Sequence, residues 1–156
     1  MLGCEYPGDL SQEKARAKMS ALLEAGITDF YDLTETHELH PYEPLLQELA
    51  KAKDSKVVVQ RFAIKDVDVP DSVPLEAVLS ALAATVSAGR KAAVHCWGGV
   101  GRTGTVLGCY LVRTLHISGE EALARIAHEW EGVEKRNRKP NSPETAAQCQ
   151  LVKAFR

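Results

Sequence analysis

Residues 92–108 read AAVHCWGGVGRTGTVLG. A short apolar run, Ala92-Ala93-Val94, meets a glycine cluster from Gly98 to Gly104. The cluster opens an apolar helix that extends to about His116. A strand, a glycine turn and a helix in that order make an anion site. The first N–H groups of a helix have no acceptor within it, and the helix dipole adds positive potential there. Gly98, Gly99 and Gly101 let the backbone curl so that successive N–H groups point inward.

Outward from this stretch, helix and strand signals alternate along the chain. Residues 11–25 place Ala15, Met19, Leu22 and Leu23 on one helical face, with Gly26 as the stop. A strand is expected over Ile27–Leu33, and a short helix starting on proline over Pro44–Lys51. A second strand is expected from Val57 to about Ile64. Pro70 and Pro74 bracket the start of a strongly apolar helix that runs to Ala88, with Gly89 as its stop. After the glycine cluster and its helix, two further helices are expected over Gly119–Trp130 and Pro143–Phe155. The pattern predicts an α/β fold. Its centre is a mostly parallel twisted sheet of about four to five strands, flanked by helices on both faces.

The chain has 156 residues, the size of one domain, so residues 1–156 are read as a single unit. Hydrophobic residues make up 45% and charged residues 26%, enough for an ordinary core without a staple. The 19 Lys+Arg against 21 Asp+Glu give a net charge of −2, which offers nucleic acid no footprint. No apolar run reaches the roughly 18 residues of a membrane span. The opening MLGCEYPGDL lacks the basic and apolar parts of a signal peptide. Cys4, Cys96, Cys109 and Cys149 form no CxxC pair. They read as reduced thiols of a cytoplasmic protein rather than a disulfide framework or metal site.

Three kinds of loop share the strand–glycine–helix plan. A nucleotide-triphosphate loop needs Gly-x4-Gly-Lys-Ser/Thr, but Arg102 replaces the lysine and Cys96 the first glycine. A dinucleotide fingerprint matches Gly99 to Gly104 literally. It also needs a second strand ending in an acid about 20 residues on, and that region, SGEEALARIAHEW, reads as helix. The third kind fits every position. Cys96 opens the loop, Arg102 closes it after five residues, His95 precedes and Thr103 follows. HCWGGVGRTG resembles the signature loop of the cysteine-dependent protein tyrosine phosphatases.

The resemblance implies roles that fit the residue types. Loop N–H groups, the helix N-terminus and a nearby arginine favour a thiolate at Cys96 as nucleophile. The amides of Trp97, Gly98, Gly99, Val100 and Gly101 then bind phosphoryl oxygens. Arg102 offers a planar fork for two of them, which lysine does not. Thr103 is expected to donate its hydroxyl to the sulfur. His95 is expected to order the loop through hydrogen bonds. Cys109 and Cys149 read as small buried hydrophobes.

A leaving oxygen needs a proton, so a general acid is expected elsewhere. Residues 61–70, RFAIKDVDVP, resemble the family's acid loop, with Ile64 before Asp66 and Pro70 four residues after it. Asp66 is the expected acid and Asp68 its competitor. Near the C-terminus, RNRKPNSPETAAQCQLVKAF resembles the family's last loop and helix. Gln148 takes the position that orients the hydrolytic water. Lys135, Arg136, Arg138 and Lys139 are candidates to flank the pocket. Residues 5–9, EYPGD, resemble the opening of small dual-specificity-like phosphatases.

The order of motifs narrows the branch. Low-molecular-weight tyrosine phosphatases carry the loop at the N-terminus and the acid far downstream. Larger tyrosine phosphatase domains carry a recognition loop for which this chain has little room. Lipid phosphatases of the tensin type place lysines where Trp97 and Val100 stand. A compact dual-specificity-like phosphatase remains. It implies a phosphorylated protein or peptide as substrate, phosphate or vanadate-like anions in the loop, and no cofactor or metal. It implies neither nucleic acid nor a membrane as partner, and a monomer is expected. Trp97 departs from the small residue usual in relatives. Packing is its favoured role, with stacking beside a phosphotyrosine ring as the alternative. TETHELHPYEP is read as a surface loop near the pocket, where Tyr42 touches substrate and His37 and His40 hold no metal. The rival readings are a module that captures phosphopeptides without hydrolysis and a phosphatase for a non-protein monoester. A further one is a redox-regulated enzyme with Cys4 or Cys109 as resolving thiol.

Overall fold

A computed structural model describes residues 1–156. The elements run β1 (Leu2–Cys4), α1 (Gln12–Glu24), β2 (Ile27–Asp32), α2 (Glu43–Ala52), β3 (Val58–Arg61), α3 (Ser72–Ser87), β4 (Lys91–His95), α4 (Gly101–Leu115) and α5 (Gly119–Trp130). A 3-10 turn (Glu134–Asn137) and α6 (Ala146–Ala154) complete the chain. The four strands lie in the order β1-β4-β2-β3, all parallel.

Side chains alternate across the two central strands and build a core on each face. Ile27, Phe30 and Ala93 pack under α1 and α2 with Met19 and Leu46. Tyr31, Ala92 and Val94 pack under α3, α4 and α6 with Leu79, Val106 and Val152. The helix ends follow local chemistry. Ser11 accepts from the N–H of Lys14 at the start of α1, and Gly26 takes φ 80° beyond its end. Ser118 with Glu121, and Thr145 with Gln148, form reciprocal caps at α5 and α6.

The expected α/β fold with helices on both faces is present, with three refinements. β1 was not anticipated, because three residues carry no period. The expected strand to Ile64 stops at Arg61, although Phe62 and Ile64 still donate to Asp32 and Leu33 carbonyls at 2.8 and 3.0 Å. The last helix begins at Ala146 rather than Pro143, since Thr145 caps it. No helix is long and apolar enough to cross a membrane.

Candidate active site

The segment between β4 and α4 curls over the buried Cys96, which directly follows β4. Gly99 takes φ 72°, and a Cβ there would lie 2.5 Å from the Cys4 carbonyl oxygen. Only glycine fits both constraints. Three loop carbonyls are held by donors from other segments. Trp97 O accepts from the Tyr6 N–H at 2.9 Å, Gly98 O from Lys135 Nζ at 2.8 Å, and Val100 O from the Ser142 hydroxyl at 2.8 Å. The N–H groups of residues 97–103 donate to no acceptor of the protein. Donors left without a partner at a cleft want acceptors, and an oxyanion with several oxygens matches this set.

Arg102, in the first turn of α4, is fully buried, and Glu38 grips both ends of its fork. NH1 donates to Glu38 Oε2 at 2.8 Å and NH2 to Oε1 at 2.7 Å. NH1 also donates to the Ile64 carbonyl at 3.0 Å, and Asp66 Oδ1 lies 2.9 Å from NH2. The hydrogen bonds from Arg102 hold the Glu38 carboxyl below the usual carboxylate range. Nε has no partner in the protein. The fork is therefore aimed by groups on its far side, with one N–H in reserve.

Asp66 and Asp68 are separated by Val67, a β-branched residue held at φ 63°. That conformation is uncommon for such a side chain. The turn sends the two carboxylates to different places. Asp66 lines the cleft and reaches Arg102, while Asp68 Oδ1 accepts from the Val69 N–H at 2.9 Å, away from the cleft. Gln148, fully buried in α6, ties the parts together. Its Nε2 donates to the Asp68 carbonyl at 3.0 Å, and its Oε1 accepts from Glu144 and Thr145 N–H. The amide is thus largely spent on positioning the acid loop and the α6 cap, which leaves one N–H for a water.

His95 is buried under Cys96, and its Nε2 lies 2.8 Å from the Tyr42 hydroxyl. Burial pushes its pKa down to about 4, so it is neutral at pH 7. Tyr6 sets its ring edge-on to both partners at 5.2 and 5.6 Å. The ring's one hydrogen bond thus goes to Tyr42 and not to the loop, and Nδ1 has no hydrogen-bond partner. Tyr42 is a correction: it is 2% exposed and supports His95 rather than touching substrate. Burial pushes its phenol well up. Thr103 is a second correction, because its buried hydroxyl has no hydrogen-bond partner and makes no bond to the Cys96 sulfur. Trp97 is the third. It is 62% exposed and lines the cleft, as Leu10 and Val67 do, rather than packing in the core.

The cleft has a volume of about 860 Å³. Lys135, Arg138 and Lys139 line it, and Arg136 does not. Most of its cations are already paired. Glu5 binds Lys18 and Lys135 at 2.7 Å each, Asp9 lies 3.5 Å from Lys18, and Lys139 pairs with Glu144.

Residues 8–152 match the family model described as Swiss Army Knife protein, DSP-PTPase phosphatase domain. The chain belongs to this family. DSP-PTPase domains are phosphatases. Protein tyrosine phosphatase domain-containing protein 1 of Danio rerio is 37% identical over 65 residues, 42% of this chain and 8% of that protein. Dual specificity protein phosphatase CDC14AB of Danio rerio is 53% identical over 34 residues, 22% of this chain and 6% of that protein. The chain thus spans under a tenth of these relatives' length. Among solved structures, kinase associated phosphatase superposes with TM-score 0.68 at 22% identity, covering 97% of this chain and 80% of that one. PTPMT1 in complex with PI(5)P gives TM-score 0.67 at 19% identity, covering 95% and 86%. These two share the fold.

Within the DSP-PTPase frame, three contributors escaped the sequence reading: Glu38, Tyr42 in its supporting role, and Lys135 on the Gly98 carbonyl. Glu38 and Tyr42 lie in the stretch read as a surface loop. The one available signal is that a buried arginine requires a carboxylate, and it does not say which carboxylate.

Proposed function

We propose that this DSP-PTPase domain hydrolyses phosphate monoesters on protein side chains, phosphotyrosine foremost, through a phosphocysteine intermediate. The observation that carries the reading is the set of unpaired N–H groups at residues 97–103, wrapped around Cys96 with Arg102 at the end. Cys96 Sγ attacks phosphorus in line and forms the S–P bond. The P–O bond to the leaving group breaks, and Asp66 gives that oxygen its proton. A water then attacks phosphorus, Asp66 takes a proton from it, and the S–P bond breaks to release inorganic phosphate. The loop amides and Arg102 hold the equatorial oxygens through both steps. Phosphate approaching Arg102 competes with Asp66 for the guanidinium, so binding substrate frees the acid.

A non-protein phosphate monoester, such as an inositol lipid carrying one phosphate, is the second reading, suggested by the PI(5)P held by PTPMT1. The pairing of Lys18, Lys135 and Lys139 with cleft carboxylates leaves few free cations for a headgroup with several phosphates. The exposed apolar side chains of Trp97, Val67 and Leu10 that line the cleft favour an apolar or aromatic leaving group.

The test is phosphate release from matched phosphotyrosine and phosphothreonine peptides in EDTA, with Cys96→Ser alongside. Release that depends on Cys96 and is strongest from phosphotyrosine supports the reading. Comparable release from both peptides moves it to dual specificity. No release from folded protein, or equal release from Cys96→Ser, overturns it.

A further inference from the structure

The inward N–H groups of the phosphate loop imply carbonyls fixed the other way, because a trans peptide sets C=O and N–H antiparallel. Three of these carbonyls have an identifiable holder. Trp97 O is held by the Tyr6 backbone, and Val100 O by Ser142 together with the Gly104 N–H at 3.0 Å. Gly98 O is held by Lys135 alone.

The Gly98–Gly99 peptide is also the one most able to turn over. It is flanked by two glycines, the residues with the least intrinsic barrier to a flip. At Gly98 a Cβ would meet only Val100, at 3.6 Å, so sterics there do not choose the orientation. Lys135 comes from the 3-10 turn, 37 residues along the chain, and is itself braced. Its Nζ binds Glu5 Oε2 at 2.7 Å, and Glu5 Oε1 binds Lys18 at 2.7 Å. Burial pulls the Glu5 carboxyl up, but its two lysine partners outweigh that and hold it low, so the brace is charged at neutral pH.

We infer that Lys135 is a positioning residue of the phosphate loop: it locks the Gly98–Gly99 peptide so that the Gly99 N–H faces the phosphoryl oxygens. Glu5 and Lys18 hold it in place. This rests on the phosphatase reading above. It differs from the plain role of a cation that draws anions into the cleft, because a bond at 2.8 Å does not depend on screening by salt, whereas attraction over distance does.

The experiment measures inhibition by orthovanadate and turnover of p-nitrophenyl phosphate for wild type, Lys135→Met and Lys135→Arg, at low and at roughly 0.5 M salt, where screening lengths fall to about 5 Å. Melting temperature is recorded for each. Loss of an aligned oxyanion donor is expected to weaken vanadate about tenfold or more and to lower kcat. The ratio of wild type to Lys135→Met should persist at high salt, and Lys135→Arg should recover most of it. A ratio that collapses towards one at high salt makes Lys135 a mere attractor and overturns the inference. So does unchanged vanadate binding in folded Lys135→Met. Should wild type itself show neither turnover nor vanadate inhibition, the phosphatase reading fails, which is a separate outcome.

Discussion

Replacing Glu38 with Gln tests how the arginine fork is held. Arg102 is 1% exposed, and Glu38 supplies two of its hydrogen bonds from a side chain that is 17% exposed. Removing one member of a buried ion pair costs about 3–5 kcal/mol when the remaining charge is stranded. Here Asp66 and the Ile64 carbonyl stay in contact with the guanidinium, and glutamine keeps one acceptor. The expected loss is therefore about 2–3 kcal/mol, near the value of charge-assisted hydrogen bonds. For a chain of this length that is a fall in melting temperature of roughly 5–10 °C. The fork should also tilt towards Asp66, which weakens phosphate and vanadate and lowers kcat/KM about tenfold or more. Thermal melts and steady-state kinetics on Glu38→Gln, with Glu38→Asp beside it, check both halves. A variant that melts within about 1 °C of wild type and turns over normally refutes the claim that Glu38 aims Arg102.

Asp66→Asn removes a half-exposed carboxylate, so it should leave the melting temperature near wild type. It should slow kcat by about 10²-fold or more with alkyl leaving groups and much less with nitrophenol. A larger loss from Asp68→Asn would move the acid to that residue. Trp97→Ala should cost several-fold in kcat/KM for aryl phosphates and little for alkyl phosphates, as one exposed aromatic contact would; equal losses on both would exclude a stacking role. His95, lowered by burial from 6.5 to about 4, makes the fold pH-dependent. Between those values the unfolded chain binds a proton that the folded chain refuses, so stability is lost as pH falls from 6.5 to 4, by about 3 kcal/mol. Melts across that window should slope for wild type and flatten for His95→Gln, and a flat wild-type profile would contradict the burial argument. Lower still, the carboxylates of Glu38, held low by its hydrogen bonds from Arg102, and of Asp29, where burial pulls up but Arg90, Thr28 and Thr85 outweigh it, extend the loss as they take up protons.

The parts of the site that were legible in the sequence are those in which neighbours along the chain decide the outcome. β4, the glycine loop and α4 are contiguous, so period, glycine and helix start together specify them. Asp66 followed from its frame with Ile64 and Pro70, and the structure separates it from Asp68 through the unusual backbone at Val67. Glu38 reaches Arg102 across 64 residues and belongs to a stretch with no pattern of its own. Tyr42 lies in the stretch read as a surface loop near the pocket, and on that reading it meets substrate. Only the fold shows that its ring belongs to the core beneath α1 and α2.

The loop carbonyls explain why such contributors escape a reading of residue types. A carbonyl is the same on every residue, so its holder is chosen by reach and not by identity. Tyr6 uses its backbone, Ser142 a hydroxyl and Lys135 an ammonium for the same task. The three come from an N-terminal loop, the turn before α6 and a 3-10 turn, and no spacing rule links them. What the sequence does specify is the demand. Four glycines between residues 98 and 104 surrender the backbone's own preference, so outside donors must restore a single conformation. A loop this free binds an oxyanion tightly only if those donors order it beforehand. The cost of ordering it then falls on folding rather than on each encounter with substrate. On that argument, weakening any one holder should harm anion binding more than it harms stability.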